Sequence, residues 1–318
     1  MRFLPTAEQG DFARSLRALL AAADVPAAAR AWAAGDHGPG RALWAGLGEL
    51  GVFALAVPEA HDGVGVLPVE LATAFVELGR AGAPGPLVET ASAAVLLGEP
   101  GPAAGAGKRW LPGVAAGETL LTLAGPGSPY ALDADAADAV LAVSETGELV
   151  AAVGHGAVRA SADPARRLAA PVVAGGERLG AVPASWWRWP ALLTAAQALG
   201  VGEALLARTV EYVGQRTQFG APVGSFQAVK HRLADTLVAL EFARPLVFGA
   251  AVTLAERDVA AAKLAAGEAA YRAARTALQL HGAIGYTEEL DLALWLRKAR
   301  PLRTAWGAPA DCRARLLA

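Results

Sequence analysis

Apolar residues recur at helical spacing over 7–34, where Phe12, Leu16, Leu19 and Leu20 share a face, and the pattern predicts a helix there. A shorter helix is predicted over 41–51, with Trp44, Leu47 and Leu50 on one side and Gly51 as its C-terminal cap. The run from Val52 to Glu59 reads as briefly extended, ending at Pro58 and followed by the turn-rich His61-Asp62-Gly63-Val64-Gly65. Helices follow over about 67–82 and 86–97, and Gly101 to Gly107 reads as a Gly/Pro/Ala linker.

Between Trp110 and Pro183 the period changes. Short apolar runs at 140–143, 149–153 and 171–174 are separated by Gly, Ser and Asp turns, the pattern of a small β domain. From Trp186 helical spacing returns over 188–216, 226–254, 257–281 and 288–300, with Pro245 expected to kink or break the second. Four long antiparallel helices make a bundle pattern. The order predicts an α+β chain in three parts: an N-terminal helical domain over 1–108, a reduced middle β domain over 109–184, and a C-terminal four-helix bundle over 185–318.

Composition narrows the classes. The chain of 318 residues is 54% hydrophobic, much of it Ala and Gly, and a net charge of -2 argues against a general nucleic-acid binder. The basic run Arg297-Lys298-x-Arg300-x-x-Arg303 beside Trp295 reads as a complement to a helix end or a subunit face. Cys312 is the single cysteine, which excludes an internal disulfide and fits a reducing cytosol. The first residues turn polar at Glu8 and Asp11 before a signal-type apolar core forms, and runs such as 191–199 are too short to span a bilayer. The expected location is cytoplasmic, with no membrane partner.

Two segments interrupt the helices with glycines and polar residues. One reads Arg216-Thr217-Gln218-Phe219-Gly220 and continues through Pro222, Gly224 and Phe226 to Gln227; the other reads Gln279-Leu280-His281-Gly282-Ala283-Ile284-Gly285-Tyr286-Thr287. Arg216 offers a planar charge that suits a pyrophosphate. Phe219 offers an aromatic face, Gln227 and Gln279 offer amides, and Gly282 and Gly285 permit close approach and unusual φ. Structural roles compete with each: Arg216 at a helix end complements the dipole by about 0.3–1 kcal/mol, Phe219 fills core, and the glycines serve turns.

With these motifs the chain resembles the acyl-CoA dehydrogenase family along nearly its whole length. The N-terminal half carries Trp44 to Gly51 running on to Val57-Pro58-Glu59, then Glu77-Leu78-Gly79-Arg80 and Pro84-Gly85-Pro86. The C-terminal half carries both segments above, extended to Glu289. The resemblance implies FAD and dimers assembled into tetramers. It also implies cofactor-binding roles for Arg216, Gln218, Phe219, Gln227, Gln279, His281, Gly282 and Ala283, which in the family reach the flavin of the neighbouring subunit. His281 is assigned no catalytic role.

Catalysis in the family needs a carboxylate base for the α-proton. Counting without gaps from Gln279, its late position falls on Trp306, within Ala305-Trp306-Gly307, and its early position falls on Pro190; neither accepts a proton. Glu203, Glu288, Glu289 and Asp291 read as helix first-turn or surface charges. The loop that holds the flavin ring in the family is eroded to Thr122-Leu123-Ala124-Gly125-Pro126-Gly127-Ser128-Pro129, and Gly125-x-Gly127 opens no helix. No catalytic residue and no metal site are therefore expected.

What is retained reaches a neighbour's cofactor; what is lost holds this chain's own flavin ring and moves the proton. Some actinobacterial acyl-CoA dehydrogenases, notably those shortening steroid side chains, are α2β2 heterotetramers in which one subunit type lacks the base. The chain resembles that subunit. The expectation is a non-catalytic, half-site subunit that works with a catalytic homologue to introduce an α,β double bond into an acyl-CoA. The alternatives are a stand-alone flavoenzyme, either an oxygenase or a dehydrogenase with a displaced base, and a structural subunit without flavin contact.

Overall fold

A computed structural model describes residues 5–317 except Pro102 and Gly127. Readings that involve Met1 to Leu4, Pro102 or the Gly125-x-Gly127 pattern lie partly outside the described residues. The elements run in the expected order: helices, a small mixed sheet, then helices.

The helix predicted over 7–34 is two, α1 (Ala7–Ala22) and α2 (Val25–Ala33). Thr6 and Gln9 form a reciprocal capping box at the start of α1. Asp24 then caps α2, its carboxylate accepting from the Ala27 N–H at 3.0 Å, and Pro26 sits in the first turn where its missing N–H costs nothing. Helix α3 (Gly38–Glu49) ends as anticipated: Gly51 has φ 80, its N–H reaches Gly48 O and the Val52 N–H reaches Leu47 O. The run from Val52 is buried but not extended; it forms single 3-10 turns at Ala54–Ala56 and Glu59–His61.

Helices α4 (Pro68–Ala81) and α5 (Leu87–Gly98) follow the prediction. The predicted linker does not hold, because α6 (Ala104–Ala115) starts inside it. Trp110, Leu111 and Val114 are buried, and that packing overrides the weak helix propensity of Gly105 and Gly107.

The middle sheet has the order β1 (Leu121–Ala124), β3 (Ala139–Val143), β4 (Glu148–Ala151), β6 (Glu177–Ala181); the first pair is parallel and the others antiparallel. A second pair joins β2 (Ala131–Leu132) to β5 (Leu168–Ala169). The predicted run at 171–174 makes only an isolated bridge, Pro171 to His155, while β6 follows it.

The bundle consists of α7 (Arg188–Gln215), α8 (Gln227–Thr253), α9 (Glu256–His281) and α10 (Leu292–Thr304), with α11 (Pro309–Leu317) against α9. Pro245 lies within α8, which continues past it as one helix. Helices α7 and α8 are each long and apolar enough to cross a membrane by length and composition, which corrects the estimate made from shorter runs. For α7 the reason is a core position, since 83% of its apolar window is buried. Helix α8 instead exposes Leu237, Val238, Phe242, Leu246 and Val252.

The N-terminal helices join the bundle through α4 and α7. A Cβ on Gly79 would lie 2.1 Å from Gln197 O, and one on Gly200 would lie 1.9 Å from Val76 O, so both glycines are required by the approach of the two backbones. Beside that crossing, buried Glu77 accepts two bonds from Arg17, at 2.7 and 3.0 Å. Glu203, predicted as a surface charge, is instead clamped between Arg80 and Arg244.

Candidate functional site

The two motif segments meet at one end of the bundle. Helices α7 and α9 run in the same direction, and their last turns are joined where Tyr212 stacks on His281 with ring centroids 4.1 Å apart. The Tyr212 hydroxyl donates to His281 O at 3.4 Å.

Beyond α7 the chain makes a short hairpin, β7 (Thr217–Gln218) with β8 (Ala221–Pro222). Its two loop residues, Phe219 and Gly220, have φ 54 and φ 79, the two positive values of a tight two-residue hairpin turn. Gly220 meets that demand freely; Phe219 does not. The hairpin is tied at its base by the Val223 N–H to Arg216 O, 2.7 Å. It holds Phe219 94% exposed, its ring edge-on to that of Phe226 with centroids 6.3 Å apart, so the core reading of Phe219 fails.

Arg216, Gln218, Gln227, Gln279, Gly282 and Ala283 are exposed as well. Gly282 has φ 63 and ψ -138, a backbone state open essentially to glycine alone, and among the described residues nothing beyond its chain neighbours lies within 4 Å of where its Cβ would be. His281 differs from the others. Its ring is buried, its Nδ1 is bonded to Ala277 O at 2.8 Å, and burial pushes its pKa down. The ring therefore braces α7 against α9.

A different environment surrounds Trp306. It has φ 55 and is followed by Gly307 at φ 142. Its indole N–H donates to Glu89 Oε1 at 2.9 Å, and its ring stands edge-on to Trp186 at 5.9 Å and 90°. Gly125, from the eroded flavin-ring loop, packs on both indoles: a Cβ there would lie 2.7 Å from Trp186 and 2.9 Å from Trp306. Glu89 belongs to α5 and is fully enclosed, and burial raises its pKa, opposed by the Arg166 charge and the Trp306 bond. Sequence reasoning passed over Glu89, although a lone carboxylate inside the apolar run of α5 is a visible signal.

Lys263 fixes the Trp306 turn. Its buried ammonium donates to Leu302 O, Arg303 O and Gly307 O at 3.0, 3.0 and 3.1 Å, closing the end of α10, while burial lowers its pKa to about 8. The basic run on α10 divides between roles. Lys298 is buried in a 2.9 Å pair with Asp163, Arg297 meets Glu288, and Arg303 meets Glu268. Helix α10 begins at Leu292, so Glu288 and Glu289 precede it and are not first-turn residues; Asp291 pairs with Arg30. No cluster of three or more His, Cys, Asp or Glu suited to a metal occurs among the described residues.

Residues 6–118 match the acyl-CoA dehydrogenase N-terminal domain, and residues 188–310 match the C-terminal domain of the same family. The chain is 36% identical over 315 residues to acyl-CoA dehydrogenase IpdE2 of Mycobacterium tuberculosis, covering 98% of this chain and 97% of the relative. It is 32% identical to IpdE2 of Mycolicibacterium smegmatis over 92% of each chain. Among solved structures, the ChsE4-ChsE5 complex from Mycobacterium tuberculosis superposes with a TM-score of 0.80 at 25% identity, covering 99% of this chain and 98% of the other. The chain belongs to the acyl-CoA dehydrogenase family.

Proposed function

We propose that the chain is the base-lacking subunit of a cytoplasmic, heteromeric acyl-CoA dehydrogenase. It lends Arg216, Gln218, Phe219, Gln227, Gln279 and the backbone of 281–283 to a flavin seated on a catalytic homologue. The observation that carries this reading is Trp306. At the position counted as the family's base stands an indole with no basic atom, its one N–H committed to Glu89.

The residues fit FAD in one half only. Around Gly125 the space toward the ring-holding loop is taken by two indoles. At the bundle end, the arginine, amides and aromatic ring that suit a dinucleotide are exposed and stand ready for a group outside this chain. When bound, FAD supplies the hydride acceptor for α,β-dehydrogenation; this chain's residues hold it and move no proton. The outward apolar face of α8, with Phe242 73% exposed, supports assembly with another subunit in an α2β2 arrangement. The ChsE4-ChsE5 complex, named for two components, supports a heteromeric arrangement. The resemblance to subunits of side-chain-shortening enzymes carries the substrate class, a steroid side-chain CoA thioester.

Expression alone and with a homologue that keeps the base tests this. Co-expression should give a flavin-loaded complex that oxidises acyl-CoA, and the chain alone should hold no stoichiometric FAD. Flavin and turnover on the isolated chain would sink the idea. One observation favours a second reading, a dehydrogenase with a displaced base: Glu89 is a buried carboxylate one hydrogen bond from Trp306. That reading requires turnover by the isolated chain that Glu89→Gln abolishes.

A further inference from the structure

Helices α9 and α10 run antiparallel with a cavity between them. Lys263, early in α9, reaches Leu302 O at the end of α10. Leu278, late in α9, packs on Gly285 just ahead of α10, where a Cβ would lie 3.3 Å from the Leu278 Cδ1. Arg275 and Leu278 share a face of α9, and Ala293, Leu296 and Arg300 recur at intervals of three and four along α10. The cavity these faces line is about 310 Å³, at the lower end of the range for small-molecule sites, and Ala162 of the middle domain forms its third wall. That wall is fixed, because the carboxylate of the next residue, Asp163, is held by buried Lys298 of α10 at 2.9 Å.

The lining divides into an apolar floor and a cationic rim. Leu278, Ala293 and Leu296 are only half-buried, so the floor keeps apolar surface that a ligand can cover. Arg275 and Arg300, one from each helix, are exposed and have no acidic partner among the described residues. The other cations of this region are engaged: Arg297 meets Glu288, while Arg303 meets Glu268 and lies 5.0 Å above the Tyr271 ring. Two uncompensated cations at the edge of one apolar floor favour a ligand that brings both a counter-charge and a hydrocarbon body.

We propose that this cavity binds an amphipathic carboxylate, a compact aliphatic acid with its hydrocarbon body on Leu278, Ala293 and Leu296 and its carboxylate at Arg275 and Arg300. Forked guanidiniums match the two oxygens of a carboxylate. The hydrocarbon body gains by leaving water for the leucine floor, and a ligand with a polar body gains nothing there. The site lies on this chain alone and uses none of the flavin-facing side chains assigned above. Its failure is therefore readable separately from the failure of the subunit role.

Calorimetric titration of the full chain with octanoate, butanoate, 1-octanol and octylamine, at low and high salt, decides it. Octanoate should bind at least about tenfold tighter than octanol or octylamine, which lack the anionic head, and that advantage should shrink with salt. Butanoate, with the head and little body, should bind at least about tenfold more weakly than octanoate. The exposed double variant Arg275→Gln/Arg300→Gln should bring octanoate down to the level of octanol with its melting temperature unchanged. Ala293→Phe fills the floor and leaves both arginines in place, and it should lose octanoate binding. Equal binding of octanoate and octanol, no octanoate binding by the parent chain, or an unaffected double variant overturns the proposal. So does octanoate binding that Ala293→Phe leaves intact, since the anion then sits on the surface and not in the cavity.

Discussion

The indole N–H of Trp306 donates to Glu89 Oε1 at 2.9 Å, so the C-terminal segment is tied to a carboxylate inside α5 across 217 residues of chain. The bond satisfies a buried acceptor while the indole keeps the neighbouring space occupied. Trp306→Phe keeps the bulk and removes the donor. The variant should be less stable by about 1–3 kcal/mol in a urea titration, because the acceptor is left without its partner. Adding Glu89→Leu to it should recover much of that loss, since the buried polar group is then gone. An additive pair of effects would show that the bond is not the coupling.

Asp133 supplies a pH dependence. It is fully buried at φ 51, accepts from the Arg167 N–H at 2.9 Å, and burial raises its pKa to about 7. A carboxyl whose folded pKa lies above its unfolded value of 3.8 retains its proton better when folded. Its contribution is therefore complete below about pH 4 and is lost as pH rises through about 7, with a slope of at most about 1.4 kcal/mol per unit. Asp133→Asn keeps the acceptor, tolerates the left-handed backbone and cannot ionise. Denaturant midpoints measured from pH 4 to 8 should fall for the parent chain and stay flatter for the variant.

The fold was legible where periodicity was long and unbroken, as in α4 and α7 to α9. It was misread where a cap or packing outweighed pattern. Asp24 and Pro26 mark the start of a second helix inside one continuous amphipathic run. The glycines near α6 resemble a linker until Trp110 and Leu111 are seen buried. At the site, motif spacing located the exposed end of the bundle, and counting reached Trp306. Neither foretold that Glu89 and Trp186 would meet Trp306 and Lys263 the turn at Gly307, because those contacts cross 217, 120 and 44 residues of chain. Nor did the α10 charge run reveal that Lys298 pairs with Asp163 in the interior, since no local pattern encodes a partner 135 residues away.

Lys263 is the anchor of the Trp306 turn. Lys263→Met preserves most of the side-chain volume and deletes three donors to carbonyls at the end of α10. The cost should be about 2–4 kcal/mol, as several buried acceptors lose partners together. Trp306 fluorescence is not separable among eight tryptophans, so proteolysis after α10 is the better probe. Cleavage in 303–308 should become faster in the variant, while the hairpin at 217–222 should keep its protease sensitivity.

Phe219 separates folding from assembly. The ring is 94% exposed, stands edge-on to Phe226, and sits at a positive φ that a large side chain adopts reluctantly. On folding grounds nothing retains it: Phe219→Gly should leave the isolated chain within about 0.5 kcal/mol of the parent, or slightly more stable from relief of the turn. If the ring instead packs against a flavin nucleotide or a neighbouring subunit, its loss should lower the flavin content of the co-purified complex severalfold. Flavin absorbance per protein in the complex, set against a melting curve of the single chain, reads both quantities. An unchanged flavin content beside an unchanged melt would remove Phe219 from the shared site.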